Sequence, residues 1–331
     1  MRVFSERQAE NASLLRAREE EIDNKVPGFN DIKLRLIDLN REDLNARMRK
    51  DTGVSERLSH EREKLIKEKV LLLNKYGYPA DYLEPPCRCR LCSDKGLLPG
   101  GEKCSCFKQL EAELVNRQSG LPDFLKGVSV DSIPLDIYNN EAPMADLPKK
   151  APQMTQREYF ENVIIRRAAS YVEVFDAPGS HNIFMTGAAG TGKTYIAAAI
   201  AQSLMDSLHT VIYESAGELA SLYQRYEFNR GDIDKMESRL SLIEDCNLLI
   251  IDDLGTEFTT DVIRAHFFSL ISHRLSGSRS TIITSNLNLN DIGNIYGERI
   301  ASRISGNYLR LAFFGTDLRL ASRLRRDAAA R

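Results

Sequence analysis

The sequence has 331 residues, 42% of them hydrophobic, and a net charge of −2. That length suits about two ordinary domains with buried cores, and the near-neutral balance excludes a polycation that coats nucleic acid over its whole surface, so any such contact must come from a local patch. The charged N-terminus MRVFSERQAENASLLRAREEE lacks the apolar core of a secretion signal, and no run approaches the ~18 apolar residues of a membrane span. A cytoplasmic chain without membrane association, with its thiols reduced, is therefore expected.

Residues 1–83 carry apolar side chains three and four apart in DIKLRLIDLNREDLNARMRK and SERLSHEREKLIKEKVLLLNKYG. This spacing predicts amphipathic helices. Breaks at Pro27-Gly28 and Thr52-Gly53 favour a small bundle or hairpin over a long coiled coil, because no heptad pattern survives them.

Residues 84–126 hold five of the six cysteines, in the pattern C-x-C-x2-C-x11-C-x-C from Cys87 to Cys106. Clustered thiols in a reducing compartment point to metal before disulfide. Four thiolates satisfy a closed tetrahedral zinc site, which leaves one cysteine surplus. Gly96, Pro99, Gly100 and Gly101 supply the turn that brings the halves together. Redox-active thiols are the alternative reading. A short helix is expected near FKQLEAELVNRQ, and Cys246 reads as a core thiol. Residues 127–153, rich in proline and polar side chains, read as a linker.

From residue 154 to 331 short apolar strands alternate with helices, which predicts an α/β domain with a mostly parallel sheet. Within it, HNIFMTGAAGTGKTYIAAAIAQSL places Gly187, Ala188, Ala189, Gly190, Thr191, Gly192, Lys193 and Thr194 between a strand and a helix. That is the context of a phosphate loop: glycines let backbone N–H groups turn toward phosphate oxygens, and the helix N-terminus adds partial positive charge. Lys193 is placed to reach the β and γ phosphates of a nucleotide, and Thr194 to ligate Mg2+. The apolar strand in CNLLIIDDLGTEF ends in two acids. At the carboxyl edge of a parallel sheet, Asp252 is placed to hold Mg2+ and Asp253 to polarise an attacking water. A further strand, RSTIITSNLNL, ends at Asn286, an amide that can sense a γ-phosphate.

Together GAAGTGKT, LLIIDDLGTE, TIITSN and GERIASRI resemble the AAA+ ATPases, and within them the DnaC/DnaI helicase-loader and IstB group, over about residues 154–320. The resemblance implies a P-loop ATPase domain that self-associates. It makes Asn286 the first sensor, and Arg299 or Arg303 the arginine finger that reaches a neighbour's nucleotide; Arg303 matches that position better. It makes Arg319 the second sensor. The cysteine segment resembles the zinc segment of Gram-positive-type loaders, which implies ligands at Cys89, Cys92, Cys104 and Cys106 with Cys87 spare. The implied partner is the replicative hexameric helicase, bound through the N-terminal zinc region. Eight arginines against two acids from Arg299 to Arg331 could line a path for single-stranded DNA, which the resemblance also implies. Two alternatives stay open: an IstB-type transposition helper, and a zinc-stapled adaptor that uses nucleotide only as a switch.

Overall fold

The structure, a computed structural model, describes residues 2–49, 51–130, 133–138, 140, 144, 153–179 and 181–318. They form two compact units, residues 1–108 and 109–331.

The first unit opens with helices α1 (Arg2–Lys25), α2 (Phe29–Met48) and α3 (Thr52–Lys75); the first turn falls at the Pro27-Gly28 break, whereas the second lies between Met48 and Thr52, and Thr52-Gly53 begin α3. Asp51 caps α3 by accepting from the Val54 N–H at 3.1 Å. The apolar core is small: Ile22, Val26, Phe29 and Leu73 are buried together. Ion pairs such as Lys25–Glu21 and Arg35–Glu61 lie on the helix surfaces, and exposed pairs of this kind contribute little each. The cysteine segment then folds into a compact turn closed by an antiparallel bridge between Leu97 and Lys103. Helix α1 packs on it, with Phe4 stacked on Phe107. Helix α4 (Ser105–Asn116) follows.

The second unit is built on strands β1 (Ile183–Gly187), β2 (Val211–Ser215), β3 (Leu248–Leu254), β4 (Ser280–Ser285) and β5 (Leu309–Phe313). They form one five-stranded sheet in the order β2-β3-β4-β1-β5, and every pairing is parallel. Around it lie α5 (Gln156–Tyr159), a π-helical stretch Phe160–Ile165, α6 (Arg166–Glu173), α7 (Lys193–Asp206), α8 (Ala216–Glu227), α9 (Ile233–Asp245), α10 (Asp261–Ser276), α11 (Leu289–Tyr296) and α12 (Glu298–Asn307).

Side chains of alternate strand residues enter different cores. Ile183, Met185, Leu248 and Ile250 join one; Phe184, Leu249, Ile251 and Ile283 join the other. Coverage on both faces is why these strands read as continuous apolar runs. This is the parallel P-loop sheet that the AAA+ resemblance implies. Its connectivity sends the chain from β1 past β4 and β3 to β2 at the far edge, so the carboxyl ends of β1, β3 and β4 border one crevice, the usual ligand position in such sheets.

One expectation is corrected. Among the described residues of 127–153, Val130, Ile133 and Tyr138 are buried in the first of these cores. A segment packed this way is not a free linker. Its apolar residues are spaced singly among polar ones, so composition averaged over the window conceals them. No helix among the described residues is long and apolar enough to cross a membrane.

Candidate functional site

The phosphate loop leaves β1 at Gly187 and enters α7 at Lys193. Gly187 has φ 151°, and a Cβ there would fall 2.2 Å from the Phe313 carbonyl oxygen on β5. Only glycine allows β1 and β5 to approach so closely at the mouth of the loop. Lys193, 4% exposed, donates from Nζ to the carbonyls of Gly187 at 2.7 Å and Ala188 at 2.8 Å, and to Asn286 Oδ1 at 2.8 Å. Thr191 Oγ1 donates to the Ala188 carbonyl at 2.8 Å. The strand tips of β1 and β4 and the start of α7 thus meet on one ammonium group.

The acids sit beside it. The β3–β4 register shifts between Ile251 and Leu254, and Asp253 adopts φ 55° within that irregularity. Such left-handed conformations are uncommon off glycine and cluster at functional sites. Asp252, 7% exposed, lies 3.1 Å through each carboxylate oxygen from Thr194 Oγ1. Thr284 Oγ1 donates to Asp252 Oδ1 at 2.6 Å and accepts from the Asp253 N–H at 2.9 Å. The Tyr213 phenol donates to Asp252 Oδ2 at 2.5 Å. Burial first, and then the Asp252 charge, push the Tyr213 phenol well above its ordinary pKa, so it stays a proton donor.

A cavity of about 520 Å³ opens against these groups, a size suited to a small-molecule ligand. Gly190, Lys193, Thr194, Asp253 and Asn286 line its polar side; Leu125, Ile137, Tyr138, Tyr195 and Leu318 line its apolar side, and Phe124 also borders it. Tyr138 stacks on Phe160 at 3.9 Å between ring centroids. The apolar wall, Tyr213 and Thr284 were not legible as site residues in the sequence. The alternating apolar residues of GVSVDSIPLDIY, residues 127–138, are the one signal that could have found the first.

Two arginines of the reading stand on α12. Arg299 is exposed and Arg303 half-buried. The Arg303 guanidinium lies 4.6 Å from the centroid of the Phe268 ring on α10, and its Nε has no hydrogen-bond partner. Neither lines the cavity. Arg319 lies outside the described residues.

In the first unit the ligating atoms of Cys89, Cys92, Cys104 and Cys106 all lie within 4.8 Å of one another, with Cys89–Cys104 at 3.7 Å and Cys92–Cys106 at 3.4 Å between sulfurs. Zinc with Zn–S bonds of about 2.3 Å in a tetrahedron sets sulfurs roughly 3.8 Å apart, so this donor set fits the ion. Cys87 is not among the four. The Cys106 N–H holds the Cys104 thiol down at about 7, while burial and then the neighbouring thiols push Cys106 up. Thiols competing for protons in this way are relieved by a bound dication. Asp94, fully buried, organises the turn: it accepts from the N–H groups of Arg88 and Cys89 at 2.9 Å each and from Asn11 Nδ2 at 2.7 Å. Burial alone would raise its carboxyl, but the bonds from Arg88, Asn11 and Cys89 outweigh it and hold it below the ordinary carboxylate value. Gln8 Nε2 donates to the Asp94 carbonyl at 3.0 Å, a second tie to α1.

The ATP–Mg2+ pair passes a similar test of fit. A glycine cradle opens beside a buried ammonium, and a threonine hydroxyl and a carboxylate converge where a hard cation needs oxygen donors.

Residues 149–304 match the family model of IstB-like ATP binding proteins. The replicative helicase loader DnaC of Escherichia coli K12 is 29% identical over 150 residues, which is 45% of this chain and 60% of that protein. DnaC of Buchnera aphidicola subsp. Schizaphis graminum is 28% identical over 151 residues, 45% of this chain and 61% of that protein. The match thus spans about three-fifths of the length of these relatives. A crystal structure of the DnaC helicase loader aligns with TM-score 0.46 and 19% identity, over 58% of this chain and 100% of that one.

Proposed function

We propose, from the premise that residues 149–304 are an IstB-like ATP-binding domain, that the chain is an ATP-dependent loader of the replicative DNA helicase. The observation that carries this reading is the meeting of Lys193, Asn286, Thr194 and Asp252 at one sheet edge, in a segment related to DnaC. In this reading Gly187–Thr194 cradle the phosphates of ATP, and the N-terminal N–H groups of α7 donate to them. Lys193 neutralises the β and γ phosphates, Thr194 and Asp252 hold Mg2+, and Asp253 orients the attacking water. Asn286 registers the γ-phosphate. Mg2+, when bound, neutralises charge on the triphosphate. The apolar wall of Leu125, Ile137 and Tyr138 receives the base. Arg303, or Arg299 one turn before it, acts on a neighbour's nucleotide through self-association, a contribution of about 10³–10⁵ in rate for such fingers; Arg303 does so by leaving the Phe268 ring. Arg319 serves as the second sensor. The four-cysteine zinc site staples the N-terminal region that grips the helicase, and the arginine-rich C-terminal stretch holds single-stranded DNA in a salt-sensitive way.

Full-length zinc-loaded protein is expected to co-purify with the host's replicative helicase and to transfer it to single-stranded DNA when ATP is present. The Lys193→Ala variant should lose roughly 100-fold or more in ATP affinity, since it removes a charge-assisted contact to phosphate, and lose transfer with it. Normal transfer by this variant would sink the mechanism. The IstB-like family match favours a second reading, a transposition helper; recovery of a transposase and no helicase would establish that one instead.

A further inference from the structure

The acid cluster receives a residue from edge strand β2 that none of the roles above uses. Tyr213 and Thr284 donate to opposite oxygens of Asp252, at 2.5 and 2.6 Å, from strands on either side of β3. A carboxylate turns easily about its last torsion, for which the energy well is broad. Two short, charge-assisted bonds to its two oxygens fix that plane.

Tyr213 is itself held from outside the sheet. Its N–H donates to the Ser119 carbonyl at 2.6 Å. Two residues earlier the Val211 N–H donates to Asn116 Oδ1 at 2.9 Å, and Asn116 Nδ2 donates to the His209 carbonyl at 2.9 Å. Gly120 has φ 78°, and a Cβ there would fall 2.2 Å from the Tyr213 carbonyl oxygen. Arg239 donates to the Gln118 carbonyl at 2.6 Å and pairs with Glu214, the residue after Tyr213. The segment from Asn116 to Gly120 therefore satisfies the open edge of β2, where unpaired backbone groups would otherwise face solvent, and sets the height of Tyr213 along the strand.

We propose that Tyr213 is a positioning residue for Mg2+: with Thr284 it fixes the Asp252 carboxylate in the orientation that presents an oxygen to the ion beside Thr194, and the Asn116–Gly120 segment keeps it there. The proposal rests on the ATP–Mg2+ reading above and adds to it a regulator of metal affinity at the sheet edge. Partners of this kind, which touch the ligand and not the metal, typically alter metal affinity or activity 10–100-fold when removed. Phenylalanine at 213 keeps the buried ring and removes only the donor.

The test is the binding of mant-ATP, a fluorescent ATP analogue, to the full-length zinc-loaded protein, in EDTA and across a Mg2+ titration. Tyr213→Phe is expected to raise the Mg2+ concentration for half-maximal effect about tenfold or more while leaving binding in EDTA within about twofold of wild type. A tyrosine that only supports packing would leave the Mg2+ midpoint unmoved, because phenylalanine keeps the ring. Thr284→Val should move the midpoint in the same direction, and Thr284→Ser, which keeps the hydroxyl, should restore it; this pair decides the question if Tyr213→Phe folds poorly. An unchanged midpoint in both Tyr213→Phe and Thr284→Val overturns the proposal and leaves the ATP site standing. Wild type that binds mant-ATP in neither condition overturns the ATP reading, and the role of Tyr213 falls with it.

Discussion

Asp94 holds a backbone angle of φ 57° among the cysteines, a conformation that aspartate tolerates better than most residues. It gathers three donors, one of them from Asn11, 83 residues away in sequence. Asp94→Ala should cost about 2–3 kcal/mol from orphaned buried donors and speed loss of zinc to a chelator about tenfold; thermal melting and a colorimetric zinc assay read the two effects. An unchanged release rate would show that the turn holds without it. Which four of the five cysteines converge was implied by the resemblance alone, but the cluster itself was legible because its spacing is local. Asp94 was not, because SDKG reads as an ordinary turn and its partner lies on a distant helix. The same division runs through the second unit. Lys193 and Thr194 stand in a local motif that the strand–loop–helix context foretells, and Asp252 and Asn286 each end an apolar strand legible on its own. Tyr213 reaches Asp252 only through strand register, with Tyr213 opposite Ile250 and Ser215 opposite Asp252, and no local pattern encodes which strand lies beside which.

Elements are held by a few polar keystones. Arg274 of α10 is 1% exposed. It donates to the carbonyls of Ile243, Glu244 and Cys246 at the end of α9, to the Ser280 carbonyl and to Thr281 Oγ1. The carbonyl end of α9 is where a cation is favoured. Arg274→Met should destabilise by about 3 kcal/mol or more, by leaving several of these acceptors unsatisfied, and denaturant melts would register it. In the first unit Glu21 of α1 accepts from Lys25 at 2.9 Å, Tyr82 at 2.7 Å and Tyr78 at 3.1 Å. The bond from Lys25, then those from Tyr82 and Tyr78, bring its carboxyl from an ordinary 4.5 down to about 2. A folded-state value below the unfolded one means the ionised form is the stabilising one. That contribution is full above pH 4.5 and is lost as pH falls toward 2. Glu21→Gln should therefore melt below wild type at neutral pH, and the gap should close as pH falls through that window; a gap independent of pH would contradict the assignment. Helices α2 and α3 were legible from apolar spacing, and those of the second unit from their alternation with strands. The packing of 127–138 was not, because Val130, Ile133 and Tyr138 sit in a short stretch interrupted by polar residues and proline, whose burial is decided by the sheet they meet.

At the scale of the molecule, the alternation of strand and helix announced a parallel α/β unit, while the strand order that brings β4 between β1 and β3 follows from crossovers that sequence does not display. That order is what sets Asn286 beside Lys193 and Thr284 beside Asp252. Every role proposed for these residues requires this crevice to hold a magnesium-bound nucleoside triphosphate. Calorimetric titration of ATP–Mg2+ into the full-length, zinc-loaded protein tests it most directly. A saturable micromolar isotherm that disappears in Lys193→Ala is the predicted result; no binding by the wild-type protein at millimolar ATP would contradict it.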